Sequence, residues 1–248
     1  MVEIIEFNTD FLLILTIIVI FTIVQSVFGV GLLVFGTPTL LLMGHSFPET
    51  LSYLLPASII VSFLQIYKGW NQITLYRKSV IFYMLPMVGV GLLLILFFFH
   101  LNLYLIIGLM LFLTSLTRFS TPLNKTLEFY LSNNFKFGFI LTGFIHGLTN
   151  LGGAPLVMIT NGLYKSKKKI QPNIAYAYFF MAAIQVLLLI LVDEFVFSQT
   201  VLLFPIVSGI IYLILGSFIF DSTSENFYYN LMTCFILVYG LLLVYKSI

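Results

Sequence analysis

Two apolar stretches of this chain are too long to cross a bilayer once and too short to cross it twice. They cover residues 11–44 and 135–164, which is 34 and 30 residues. One crossing takes about 20 apolar residues as a helix, and two with a turn take more than about 40. Six other stretches, at 50–67, 79–99, 101–117, 173–192, 198–219 and 227–245, have the length of single crossings. Only 8% of the residues are charged and 60% are hydrophobic, whereas a soluble domain carries about 25% charged residues. Such a chain has no polar shell with which to cover a water-facing core. It therefore reads as an all-α integral membrane protein.

Both long stretches are interrupted at their centres. The first contains Gly29-Val-Gly31 and Gly36-Thr37-Pro38, and the second contains Gly147-Leu-Thr149-Asn150-Leu-Gly152-Gly153-Ala154-Pro155. Each interrupted stretch precedes three ordinary ones, so the chain repeats itself at about 117 residues, Pro38 against Pro155. The expected organisation is a single membrane unit with a first repeat at 1–120 and a second at 130–248. The polar link Ser120–Thr126 joins them.

Charge decides how the repeats face. If each long stretch crossed once, the eleven Lys and Arg residues would divide seven to four between the two sides. If each instead enters and returns on one side, every repeat has an odd number of crossings and the repeats are inverted. Ten of the eleven then share a side, with Lys246 opposite. This satisfies the tendency of basic residues to remain cytoplasmic. Glu3, Glu6, Asp10, Asp193 and Glu194 fall on the other side, together with both termini. No basic residue and no cleavage motif accompany the first apolar run, so it is expected to stay as a membrane segment.

A backbone break inside lipid frees N–H and C=O groups, and it survives only where protein or a wet cavity covers it. Matching breaks in two repeats are the best sequence pointer to a transport site. Glycines let backbone approach a substrate, and Pro38 and Pro155 suit the first turn of a returning half-helix. The N-terminus of that half-helix would favour an anion. The candidate binding residues are Gly29, Gly31, Gly36, Thr37, Pro38, Gln65, His146, Gly147, Thr149, Asn150, Gly152, Gly153, Ala154, Pro155 and Gln185. Thr37 and Asn150 sit inside the breaks and offer polar groups without fixed charge. Gln65 and Gln185 either line the same cavity or hydrogen-bond between helices. His146 either moves a proton or packs as a neutral ring. Glycines elsewhere, such as Gly89, Gly91, Gly209 and Gly216, are read as helix-packing positions.

No Asp, Glu, Lys or Arg lies well inside any apolar stretch. Cation pumps commonly use buried carboxylates, so this pattern favours an anion held by backbone dipoles. No phosphate-binding loop, nucleophile motif or metal-ligand cluster is present, and neither catalysis nor a cofactor is expected. The lone Cys234 reads as a packing residue. A net charge of +2 gives no reason to expect nucleic acid. The expected partners are a small anion, the bilayer, a coupling proton or sodium ion, and a second copy in a homodimer.

At the segments Gly29-Val-Gly31 to Gly36-Thr-Pro-Thr-Leu40, and Gly147 to Gly152-Gly-Ala-Pro-Leu-Val157, the sequence resembles the TauE/SafE family of sulfite exporters. The likeness extends over the whole chain in span order and duplication. The first repeat departs from it at Leu32-Leu-Val-Phe35, where the family is richer in glycine. The resemblance implies secondary transport of sulfur-containing anions such as sulfite or sulfonates, across the plasma or inner membrane of a prokaryote. A passive anion channel and a non-transporting membrane subunit are the alternatives.

Overall fold

The computed structural model describes residues 9–73, 77–97, 102–164, 166–222 and 225–247, and Glu3, Glu6 and Lys165 lie outside these. No strand occurs among the described residues. The helices are α1 (Thr9–Phe28), α2 (Leu32–Met43), α3 (Phe47–Gly69), α4 (Arg77–Phe97), α5 (Leu103–Phe119) and α6 (Thr121–Asn133). They continue as α7 (Phe135–Thr149), α8 (Gly153–Leu163), α9 (Lys167–Leu191), α10 (199–222) and α11 (Glu225–Ser247). Helices α1, α3, α4 and α9 are each long and apolar enough to cross a membrane.

Both over-long stretches turn back on themselves. Asp10, at the start of α1, lies 3.7 Å from His45, just past the end of α2. A methyl added at Gly138, near the start of α7, would stand 2.8 Å from Ile159 near the end of α8. The two turns are built alike. Gly29 (φ 73°) ends α1 and Asn150 (φ 63°) ends α7, both in the left-handed region. Each donates its N–H to the carbonyl four residues back, Gln25 at 2.9 Å and His146 at 2.7 Å. Glycine takes that conformation without cost, and asparagine is the side chain that best tolerates it.

The glycines, rather than the prolines, make the first break. Helix α2 starts at Leu32, so Pro38 is its seventh residue and not part of its first turn as expected. There it removes the donor for the Val34 carbonyl. Pro155 does fall in the first turn of α8. Geometrically Gly29 matches Asn150 and Gly31 matches Gly152, a register four residues longer than the proline pairing.

The stretch Ser120–Thr126 is not an extended link. It opens α6, which bends by 108° from α5 and covers the second hairpin: a methyl at Gly162 would meet the Ser132 side chain at 2.5 Å. Pro122 in its first turn and Ser120 before it are ordinary helix-starting residues.

The remaining helices pair antiparallel with their counterparts. Along α3 and α9, Gly69 lies against Pro172, the Phe63 and Phe179 rings meet at a tilt with centroids 6.3 Å apart, and Val196, just past α9, donates its N–H to Ser52 Oγ at 3.0 Å. In α5 and α11, Asn102 Nδ2 donates to the Ser247 carbonyl at 2.9 Å, while Arg118 Nε donates to Thr233 Oγ1 at 2.9 Å. Gly108 and Gly240 bring those two backbones together: a methyl at Gly108 would be 2.8 Å from Val244 N.

Each first hairpin arm also runs parallel to a span that carries a π turn. Helix α7 follows α4, whose π turn covers Val80–Met84, and Gly143 lies directly on the Met84 carbonyl. Helix α1 follows α10, whose π turn covers Tyr212–Gly216, and Thr22 Oγ1 bonds Ser208 Oγ at 3.0 Å. Gly91 and Gly147 let α4 and α7 touch backbone to backbone, as small residues do in lipid.

Candidate functional site

The two hairpins meet at their breaks. Helices α2 and α8 start beside one another from the two breaks. Gly153 lies against Val30 and Val34, and Asn150 Nδ2 donates to Thr37 Oγ1 at 2.8 Å. This contact sets the two helix N-termini beside each other. Neither has a capping side chain or an acidic residue in its first turn. The first N–H groups of a helix have no partner within it, and here they carry positive ends of two helix dipoles into one place.

A cavity of about 30 Å³ lies at this crossing. Val30 and Val34 line it from the first break, and Leu151, Gly153, Ala154 and Val157 from the second. Helices α5 and α11 close it with Leu111, Thr114 and Ile236. That volume holds about two water molecules. Pro38 releases the carbonyl of Val34, a residue of this lining, whereas Pro155 lies in the first turn of α8, where its missing N–H breaks no helical bond.

The remaining candidate residues fall into distinct places. Gly29 and Gly31 form the first turn, and a methyl at Gly31 would stand 2.8 Å from Gln25 N. Gly36 faces away from the cavity, where a methyl would stand 2.9 Å from the Leu54 side chain. Gly147 packs on the Val88 carbonyl of α4. Thr149 Oγ1 bridges the second break, donating to the Ile145 carbonyl at 2.7 Å and accepting from Leu151 N–H at 3.2 Å.

Gln65 works on the end of α1. Its Nε2 donates to the Gln25 and Ser26 carbonyls at 2.8 and 3.3 Å. Gln171 reaches the same place from α9, donating to the Ser26 and Val27 carbonyls at 2.6 and 3.3 Å. The Gln25 carbonyl also accepts from Gly29 N–H, while the carbonyls after it have no partner within the helix.

Behind the tip of the second hairpin stands a polar group of a different kind. His146, Tyr178 and Gln185 are all fully buried. The His146 and Tyr178 rings meet edge to face at 5.6 Å. Gly152 N–H donates to His146 Nδ1 at 3.3 Å, and the Tyr178 hydroxyl touches Gly153. Gln185 reaches toward the His146 ring. Yet His146 Nε2, the Tyr178 hydroxyl, both polar atoms of Gln185 and Asn150 Oδ1 have no hydrogen-bond partner among the described residues. A buried unsatisfied polar group costs about 1–3 kcal/mol, so five such atoms together mark a place that is not optimised for stability.

Tyr178 was not among the residues singled out from the sequence. The signal for it is Gln171, Tyr178 and Gln185 at seven-residue spacing, which sets a polar stripe along one face of α9.

The sulfite exporter TauE/SafE family matches the chain over residues 13–246. No curated protein and no solved structure matches it. A match over nearly the whole length, on a chain of apolar helices with two broken hairpins, places this protein in the sulfite exporter TauE/SafE family of multi-pass membrane transporters.

Proposed function

We propose that this protein is a secondary transporter of small anions, sulfur oxyanions such as sulfite or sulfonates among them, built from two inverted halves that expose one site alternately. The observation that carries the reading is the pair of uncapped helix N-termini, α2 and α8, side by side at one cavity in a region without acidic side chains. Backbone N–H groups bind an oxyanion there without a fixed positive charge that would hold it too tightly. The antiparallel pairing of α3 with α9 and of α5 with α11 supports the inverted halves. The small volume of the cavity suits a closed state, and sideways movement of the two return arms would open it to either face.

Counterflow into liposomes with sulfite, thiosulfate, methanesulfonate and acetate tests this. Saturable uptake of the sulfur anions is expected, and Gly153→Leu should abolish it while the chain still inserts and purifies as a folded species. Flux that rises linearly with concentration points instead to a channel, and absence of flux for every anion removes the transport reading.

A further inference from the structure

The two hairpins carry the same plan of polar groups, and the second leaves far more of them without a partner. Gln25 stands four residues before the left-handed Gly29, as His146 stands four before the left-handed Asn150. Across from Gln25, α3 presents Ser58 and Gln65, seven residues apart; across from His146, α9 presents Tyr178 and Gln185, also seven apart. In the first half every polar atom of the set but Gln65 Oε1 is bonded. Gln25 Nε2 donates to the Ser58 carbonyl, Ser58 Oγ and Ser62 Oγ at 3.3, 3.1 and 3.2 Å, and Gln65 holds the α1 carbonyls. In the second half the titratable residue of the set, His146, keeps one bond, from Gly152 N–H to Nδ1, and its other nitrogen has no partner. That bond assigns the ring proton to Nε2, because Nδ1 must be bare to accept.

Gly152 is the residue before α8, and α8 supplies one of the two N-termini of the cavity. We propose that His146 is the proton-binding residue of the transporter, coupled to the anion through Gly152. A proton from water adds to bare Nδ1, forms a new N–H bond and makes the ring an imidazolium. Gly152 N–H then loses its acceptor and turns to the anion, while the new charge behind the tip attracts it. The coupling is reciprocal: an anion at α8 strengthens proton binding by the same factor. The inference rests on the anion reading above.

Among the described residues, no carboxylate or amine is shown in contact with the ring. From α4, Val88, Gly91 and Leu92 face the neighbouring Gly147. From α9 come Tyr178 and Gln185, and Tyr178 is the titratable side chain that faces the ring. Lys136 on α7 and Tyr83 on α4 meet at the far end of the hairpin, 5.7 Å apart, and Glu128 of α6 lies against Gly162 at the far end of α8. Arg118 ends α5 beside Thr233.

His146→Asn is the informative variant, since an Asn oxygen occupies the place of Nδ1 and accepts from Gly152 N–H without titrating. Full-length protein in liposomes with an internal pH dye is given a gradient of methanesulfonate, whose charge is fixed. The wild type should move protons with the anion, and the ratio of protons to anions should fall to zero in H146N at whatever rate that variant runs. An unchanged ratio in H146N, or accumulation by the wild type driven by a sodium gradient and not by a pH gradient, overturns the proposal. Wild-type protein that moves no anion overturns the transport reading itself. Nitrogen NMR of labelled histidines gives a second readout that does not depend on flux. The signal missing in H146N should show a bare Nδ1 at about pH 8 and gain its proton at higher pH when methanesulfonate is present. A ring that stays neutral down to about pH 5 with the anion bound also overturns it.

Discussion

Gln65 and Gln185 are the same residue at matching places on α3 and α9, and their surroundings give them opposite tasks. Gln65 closes two hydrogen bonds to the end of α1, whereas Gln185 closes none. Replacing Gln65 by Leu removes two hydrogen bonds to the end of α1, leaving the Gln25 carbonyl to Gly29 N–H alone and the Ser26 carbonyl to Gln171, and should cost about 1–2 kcal/mol. Gln185→Leu removes two unsatisfied atoms and should be neutral or slightly stabilising, while flux falls. Thermal unfolding of the two purified variants separates them, and a larger loss of stability in Q185L than in Q65L would refute the division. From sequence alone each glutamine is equally a cavity residue or a helix tie, because the partners that decide lie 40 positions away for Gln65. Tyr178 was hidden for a related reason. In a chain with 17% aromatic residues a single tyrosine carries no signal, and only its spacing from Gln171 and Gln185 distinguishes it.

Among the elements, length was the informative quantity. The two over-long stretches announce hairpins because helix rise and bilayer thickness leave no other use for 34 and 30 apolar residues. Where each hairpin turns was less legible. Pro38 is the most conspicuous residue of the first stretch, yet the chain turns at Gly29 and Gly31, whose φ of 73° and 155° no bulky residue adopts readily. Proline in a helix interior only frees a carbonyl, and α2 continues through it. The start of the amphipathic α6 reads as a polar link, since Ser120–Thr126 are residues that start helices as often as they fill loops. Glycines that serve packing alone can be told apart by what a methyl would meet. At Gly89 it would lie 3.5 Å from the end of Leu188, an ordinary contact, but at Gly91 it would stand 2.7 Å from the Phe144 carbonyl and 2.9 Å from Leu148 N. Gly89→Ala should therefore be neutral or stabilise by up to about 1 kcal/mol through helix propensity. Gly91→Ala must force α4 from α7 and should cost about 1–3 kcal/mol. The midpoints of denaturant or thermal unfolding of the two alanine variants decide this, and equal midpoints would show that the α4–α7 contact is looser than its distances imply.

For the molecule as a whole, the distribution of charge between its two ends is what orients it in a membrane. The end of α3 meets the start of α9 where Gly69 lies on Pro172, Lys136 stands over Tyr83, and Lys167 Nζ donates to the Phe220 carbonyl at 2.9 Å. These contacts gather Lys68, Arg77, Lys78, Arg118, Lys136 and the run Lys167–Lys169 at one end. Asp10, His45, Asp193 and Glu194 gather at the other, through the Asp10–His45 approach and the Val196–Ser52 bond. Lys246 breaks the pattern, and the structure gives it a local task. Its Nζ donates to the Leu42 carbonyl at 2.7 Å and to that of Leu41 at 3.3 Å, so its charge neutralises the C-terminal end of α2. A lysine engaged in this way is a weak topology signal, and the basic end is the one expected in the cytoplasm. With Cys234 replaced by serine, a single cysteine at the exposed position Lys78 should react with an impermeant maleimide only in inside-out vesicles. A single cysteine at the exposed position Glu194 should react only in right-side-out vesicles. Labelling of both from one face would mean that the two ends do not lie on opposite sides of the bilayer, and the reverse labelling would mean that the basic end faces out. Either result would remove the positive-inside argument for two hairpins entering from opposite faces, and leave the antiparallel pairing of α3 with α9 to be explained by packing alone.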